Sequence, residues 1–239
     1  MIKDFSATLT HKQHLSGKVW GFTFTLKDGE TLEFVAGQYV LLKIDGNYRQ
    51  YSICTSSLQN DSFDFIIEYF EGGLASTYLA ALEVGQDAHF KGPAGVFTLQ
   101  NSECDKVYLA TGTGIAPIKS MIETQLVTLP TTKAHLYFGL RMGADMYLQK
   151  QVEELKKKFP DTFIFTYCLS RESEDVKVEG GQIYKGHIQD ALEIFWKDNV
   201  ISSYEYYICG SKPAVEAIKD YVFQKGAHAD KIFFERFTL

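Results

Sequence analysis

The chain has 239 residues, with 30 acidic side chains against 24 basic ones and a formal charge of -6. Apolar residues make up 45% and aromatics 14%, which suits a sizeable core and excludes a disordered chain. The mild acidity argues against a nucleic-acid binder, and no apolar run reaches the roughly 18 residues of a membrane span.

Met1-Ile2-Lys3-Asp4-Phe5 lacks the apolar core of a signal peptide, so the protein reads as soluble and cytoplasmic. Cys54, Cys104, Cys168 and Cys209 lie far apart, so neither a zinc ribbon nor an iron–sulfur centre is expected, and no disulfide. His11 and His14, three apart on a polar strand-like stretch, read as surface, and no metal site is expected.

The first hundred residues are strand-like. Phe22, Phe24 and Leu26 alternate with Thr23, Thr25 and Lys27, the period of a half-buried strand, and Asp28-Gly29 marks a turn after it. Phe34 to Leu42 reads as a strand around Gly37, Asp45-Gly46-Asn47 as a turn, and Phe63 to Tyr69 as a further strand. A short helix is expected from Leu74 to Leu82. Short strands with frequent turns suggest a barrel or sandwich.

From about residue 103 strands alternate with helices. The predicted strands are Val107–Ala110, Ala134–Phe138, Phe163–Tyr167, Tyr206–Cys209 and one near Ile232–Phe234. Between them fall helical stripes: Ile118, Met121 and Ile122; Leu148, Val152 and Leu155; Ile188, Leu192 and Phe195; Val215, Ile218 and Val222. Ser211 is placed to cap the last of these, with Pro213 in its first turn. This alternation predicts a parallel, doubly wound sheet. The expected domains are residues 1–102 and 103–239, and the first holds 11 acidic and 7 basic side chains, the second 19 and 17.

Four segments have the chemistry of a binding site. Thr111-Gly112-Thr113-Gly114 leaves the first strand of the second half and opens a helix with Pro117 in its first turn, where backbone N–H groups and the helix dipole suit a phosphate. A tight turn without ligand explains the bare pattern too. Arg49-Gln50-Tyr51-Ser52-Ile53 offers a guanidinium for phosphate and, two residues on, a ring that can stack on a flat ligand. Gly72-Gly73-Leu74-Ala75-Ser76 suits a second phosphate, or is an ordinary glycine-led helix start. Cys209-Gly210-Ser211 again leaves a strand for a helix, on the strand edge where open α/β sheets bind ligands.

In this order, the segments resemble the ferredoxin–NADP reductase superfamily. Arg49/Tyr51/Ser52 is similar to its flavin strand, Gly73/Ser76 to its flavin-phosphate helix start, Gly112/Gly114/Pro117 to its nicotinamide turn, and Cys209/Gly210 to its late Cys-Gly. Ala36-Gly37-Gln38-Tyr39, Gly92-Pro93-Ala94-Gly95-Val96-Phe97, Phe138-Gly139-Leu140-Arg141 and Glu235-Arg236-Phe237 resemble further family marks, so the likeness spans the chain. It implies an N-terminal antiparallel flavin-binding β-barrel followed by a Rossmann-like parallel α/β nicotinamide-binding domain. By that resemblance Tyr51 stacks on the flavin and Ser52 bonds near its N5. Arg49 and Ser76 hold phosphate together with backbone from Gly72 to Ser76, with Gln50 and Ile53 beside them. Thr111, Thr113 and the neighbouring backbone hold the dinucleotide pyrophosphate, and Cys209, Glu235 and Phe237 line the nicotinamide pocket. Ser52, Cys209 and Glu235 are the catalytic candidates. The reaction implied is hydride transfer from NAD(P)H to flavin, then electron release to an acceptor.

FAD is the better fit, FMN the lesser, because the Gly73–Ser76 start suits a pyrophosphate. Ser170-Arg171-Glu172 resembles the 2′-phosphate region of NADP-using relatives, and Arg141 can contribute, which leans the nicotinamide towards NADPH; Gln182 stands where those relatives carry a second arginine. Without a fused iron–sulfur or globin domain, the acceptor is expected to be separate: ferredoxin or flavodoxin first, with free flavin or an oxygenase as alternatives. Lys156-Lys157-Lys158 is a candidate basic patch for such a partner, or a solvated helix end. A reading of another class is a non-catalytic electron-transfer subunit of a larger complex. Cys54, two residues past Ser52, is read as a small packing residue rather than a redox group.

Overall fold

The computed structural model describes residues 2–237. Its chain contacts divide into two units: unit 1 runs up to Leu99 and includes Lys119–Thr124, and unit 2 comprises Gln100–Ile118 and everything from Gln125 onward.

Unit 1 is built from six antiparallel strands, β1 (Lys3–Ser16), β2 (Val19–Leu26), β3 (Tyr39–Ile44), β4 (Asn47–Ser52), β5 (Ser62–Glu68) and β6 (Asp87–Ala94), with one helix, α1 (Leu74–Ala81). The strand order is β4-β3-β6-β1-β2-β5. Just past β4, the Cys54 N–H donates to Asp64 O on β5 at 2.8 Å, so the two edge strands are drawn together and the sheet curls into a barrel. The expected alternation in β2 is real: Phe22, Phe24 and Leu26 are buried. The Phe22 ring stacks on Phe65 from β5, and the Phe24 ring meets Phe63 and Phe65 from β5 and Phe90 from β6, stacked on Phe65 at 5.3 Å. Helix α1 closes one side with Ala75 and Leu79.

The strand expected from Phe34 begins only at Tyr39. Gly37 takes φ +102°, and the Gln38 side chain accepts a hydrogen bond from Val35 N, so Phe34–Gln38 is a turn rather than strand.

Unit 2 is one wholly parallel sheet: β7 (Lys106–Thr111), β8 (Ala134–Leu140), β9 (Phe163–Leu169), β10 (Gln182–Tyr184), β11 (Glu205–Ser211) and β12 (Ile232–Phe237), in the order β10-β9-β8-β7-β11-β12. The crossovers carry α2 (Ile115–Thr128), α3 (Gln149–Lys158), α4 (Ile188–Phe195) and α5 (Lys212–Gln224). The strand order reverses between β7 and β11, which makes their C-terminal ends the switch point of the sheet. At the opposite edge the Lys106 ammonium, its side chain wholly buried, donates to Ser102 O and Cys104 O and lies 3.6 Å from the Glu205 carboxylate. Glu205 also accepts from Ser102 Oγ and Tyr207 OH, so the buried charge is paired and the stretch 102–106 is tied to the sheet.

Two helix starts depart from expectation. Leu148 is not on the helical stripe but takes a left-handed φ of 59° at the N-cap of α3. Ser211 does occupy the N-cap of α5, yet its side chain makes no cap bond. Pro213 sits at the second helical position and has no N–H to offer it.

His135 on β8 is buried against the rings of Phe195 and Tyr204, and its Nε2 has no hydrogen-bond partner. Burial holds its pKa down, from the usual 6.5 to about 4. Its native form is therefore neutral, and the unfolded chain takes up a proton first as pH falls. Stability is whole above pH 6.5 and drains as pH drops towards 4, by at most about 3 kcal/mol. Urea unfolding at pH 7 and pH 4 should show this loss, and His135→Phe should remove that part of it.

Candidate functional site

In unit 1 the predicted residues fall on β4 and the start of α1. Strand β4 stands at one end of the strand order, and its residues from Asn47 to Gln50 are exposed. Arg49 is exposed, and its only bond is from Nη1 to Tyr48 O, leaving the guanidinium without an acidic partner among the described residues. The Tyr51 ring is half-buried and stacks on Phe65, 4.8 Å between centroids and 16° between planes. Burial pushes its phenol up to about 12, partly offset by Arg49, so the ring stays neutral. Gln50 is exposed, while Ser52, opposite Tyr39, and Ile53 are buried.

Helix α1 starts at Leu74 after Gly72 and the N-cap Gly73, with no side-chain cap and no acidic residue in its first turn. The N–H groups of Leu74, Ala75 and Ser76 therefore have no intrahelical acceptor. Ser76 Oγ accepts from Phe70 N at 2.9 Å and keeps its proton to donate. Tyr51 and Leu74 both pack on the same core. A flat, apolar-backed ring beside a free guanidinium and an uncapped helix start fits a flavin that carries phosphate.

In unit 2 the parallel register gathers the remaining residues on one edge. Ala110, Cys209 and Glu235 share a row across β7, β11 and β12, and Ser211 faces Phe237. Arg141 follows β8, and Ser170 and Arg171 follow β9. Arg171 N donates to Arg141 O at 2.8 Å, so these two exposed arginines are neighbours, and neither is ion-paired among the described residues. Ser170 Oγ reaches Leu140 O at 3.4 Å.

After Thr111 the chain makes a short 3-10 turn over Gly112–Gly114 and enters α2, again without a side-chain cap. Pro117 is buried in the helix's first turn. Gly114 lies directly on β11: a Cβ there would stand 2.5 Å from Gly210 N and closer still to the Cys209 carbonyl. A Cβ at Gly210 would collide with Thr111 Oγ1. Thr113 is half-buried at this turn. Cys209 is buried, and burial, reinforced by the Glu235 charge, raises its thiol well above the usual value. It is a neutral SH group that can line a pocket, not a thiolate nucleophile.

Three expectations concern residues outside these clusters. The Cys54 thiol is buried and pushed up to about 12 by that burial, which suits packing. The four cysteines are free. In the Lys156–Lys158 run, Lys156 Nζ donates to Pro160 O and Phe163 O, while Lys157, paired with Glu179 at 2.9 Å, and Lys158, over the neighbouring Phe159 ring, stay exposed. Phe65, the backing for Tyr51, escaped the sequence reading; its place in the β5 alternation was visible, its partner was not.

A barrel with a ring-bearing edge strand, followed by a parallel sheet with a glycine turn at its switch point, defines a two-domain flavin and nicotinamide oxidoreductase. The comparisons agree. Residues 6–99 match the oxidoreductase FAD-binding domain, and residues 108–220 the oxidoreductase NAD-binding domain. The chain is 31% identical over 241 residues to the reductase component of propane 2-monooxygenase from Gordonia sp. (strain TY-5), covering 99% of this chain and 68% of that protein. It is 32% identical over 211 residues to the counterpart from Mycolicibacterium smegmatis, covering 86% of this chain and 60% of that protein. It thus spans between three fifths and about two thirds of these relatives' length. The crystal structure of an Amycolatopsis cytochrome P450 reductase superposes with a TM-score of 0.87 at 25% identity, covering 100% of this chain and 71% of that one. The chain belongs to the ferredoxin–NADP reductase superfamily, on the side of the oxygenase reductases. No helix among the described residues is long and apolar enough to cross a membrane.

The approach of Gly114 to β11 can be measured. Gly114→Ala should lower the unfolding free energy by about 3 kcal/mol, because backbone must move to admit the methyl group. Gly112→Ala, with open space around it and φ +51°, should cost only about 1 kcal/mol of left-handed strain. Urea unfolding of the two variants at pH 7 tests the order.

Proposed function

We propose that this chain is an NAD(P)H-dependent, FAD-containing reductase that supplies electrons to a separate oxygenase component. The observation that carries the reading is that each stretch matching a cofactor's domain contains a glycine-led helix start without a side-chain cap: α1 within 6–99 and α2 within 108–220. FAD, when bound, supplies the redox chemistry, accepting a hydride from the nicotinamide and passing electrons on.

The chain's own residues bind and orient. Tyr51, backed by Phe65, offers a flat surface for the flavin ring, and Ser52 a hydroxyl for the ring's edge. Arg49, the Ser76 hydroxyl and the amides of Leu74 to Ser76 take the flavin pyrophosphate. The Thr111–Gly114 turn and the start of α2 take the nicotinamide dinucleotide's pyrophosphate. Cys209 and Glu235, side by side in register, line the nicotinamide end, with Gly210 and Phe237 beside them. Residues 1–102 then serve as the flavin domain and 103–239 as the nicotinamide domain, a division supported by the gap between the two domain matches.

For the acceptor, the sequence placed ferredoxin or flavodoxin first. The reductase components of propane 2-monooxygenase and the P450 reductase among its relatives move the preference to an oxygenase. Arg141 and Arg171, adjacent and free of acidic partners, support NADPH over NADH.

Titration with FAD should give a stoichiometric flavoprotein spectrum, and NADPH oxidation should be faster with an oxygenase component as acceptor than with ferredoxin, flavodoxin or free FMN. Absence of any flavin absorbance would sink the reading. Arg171→Ala should raise KM for NADPH about tenfold and leave that for NADH nearly unchanged, the loss of one charge-assisted phosphate contact. Equal effects on both nicotinamides would remove the 2′-phosphate assignment.

A further inference from the structure

Helix α1 has only eight residues, so it is about 12 Å long, too short to hold itself together or in place without tertiary support. Its buried side chains are small or few, Ala75, Ser76 and Leu79. Its last carbonyls lack intrahelical donors, and its own last turn has no basic residue. A side chain from far away in the sequence fills that role. Lys12 on β1, paired with Phe22 on β2, sends its ammonium to the end of α1 and donates to Leu79 O at 2.9 Å, Ala80 O at 2.7 Å and Leu82 O at 3.4 Å. The same ammonium lies 5.8 Å from the Phe22 ring centroid and 6.0 Å from that of Trp20. One cation thus saturates the negative end of α1 and ties it to the barrel wall.

We propose that Lys12 is a positioning residue for the flavin phosphate, acting through α1. With the C-terminal end pinned by Lys12, the N–H groups of Leu74, Ala75 and Ser76 are held in place on the core that Tyr51 shares rather than fraying or sliding along it. The cation also satisfies the end of the macrodipole whose other end faces the phosphate. The inference rests on the assignment of flavin phosphate to the start of α1.

The test is equilibrium binding of FAD, FMN and riboflavin to the apoprotein, followed by flavin fluorescence quenching, in the natural protein, Lys12→Met and Lys12→Arg. Methionine keeps an apolar stem over Trp20 and Phe22 and removes the charge; arginine retains donors for the carbonyls. Lys12→Met should bind FAD and FMN about fivefold more weakly, with riboflavin, which has no phosphate, unchanged, and Lys12→Arg should recover most of the loss. An equal loss for all three flavins, or no loss for any, would overturn the proposal and leave Lys12 a structural residue only. Thermal unfolding of each apoprotein shows whether a variant has folded, and if Lys12→Met has not, Lys12→Gln, which removes the charge but keeps a donor, takes its place across the three flavins under the same criterion. If the natural protein binds riboflavin as tightly as FAD, the phosphate assignment at α1 fails first and the role of Lys12 falls with it; if it binds no flavin, the functional reading itself fails.

Discussion

Much of unit 2 follows from one close approach, that of Gly114 to the backbone of Cys209 and Gly210. Parallel strands β7 and β11 lie side by side where the order of the sheet reverses, so the turn leaving β7 must pass over the end of β11. With no Cβ at Gly114 the turn lies against the carbonyl of Cys209. With none at Gly210, Thr111 fits on the other side. A turn so tightly seated can enter α2 without a side-chain cap, and the first amides of that helix are left for a ligand rather than for the protein. The same register sets Cys209 beside Glu235 and brings the ends of β8 and β9, with Arg141 and Arg171, to the same edge. The local glycines and the global strand order therefore specify one place.

Unit 1 reaches a comparable result by different means. The ring proposed to carry the flavin, Tyr51, sits on a strand at one end of the strand order, and aromatic packing holds it there. Tyr51 lies on Phe65, Phe65 on Phe24, and Phe24 on Phe63, each pair stacked. The chain of rings runs from the barrel interior to Tyr51 on β4, so core burial also fixes the place of that ring. Phe65 belongs to the hydrophobic core and also backs Tyr51, so the same ring serves packing and, on the proposed reading, the flavin surface.

What could be read from the sequence was whatever is set by neighbours along the chain. The period-two pattern of Phe22, Phe24 and Leu26 marks β2, and the glycine turns after β7 and before α1 are visible because a glycine's neighbours carry the strand and helix signals on either side. What could not be read depends on partners distant in sequence. Phe34–Gln38 is apolar enough for a strand, and a turn at Gly37 decides otherwise. Leu148 has the right spacing for the α3 stripe but takes a left-handed conformation at its start. Lys12 looks like an ordinary exposed strand lysine until α1, some seventy positions later, lays its carbonyls beside it.

The lysines make the general point about charge. Lys156, Lys157 and Lys158 form the densest basic run in the chain, yet backbone carbonyls, a carboxylate and a ring occupy all three. Lys106 is wholly buried within unit 2, and Lys12 serves a helix end. Composition counts all of these as surface charge; the fold has committed Lys12, Lys106 and Lys156 to internal bonds, while Lys157 and Lys158 stay exposed. Arg141 and Arg171 are the opposite case, two guanidiniums on a ligand-facing edge with no carboxylate against them. A cation left unpaired where neighbouring charges could have been paired is held in a state that favours an incoming anion, because the desolvation and ordering that pairing would require are deferred to the moment of binding. On the proposed reading, recognition therefore rests on cations without a carboxylate partner among the described residues, Arg49 on β4 and Arg141 and Arg171 at the ends of β8 and β9, rather than on the densest run of lysines.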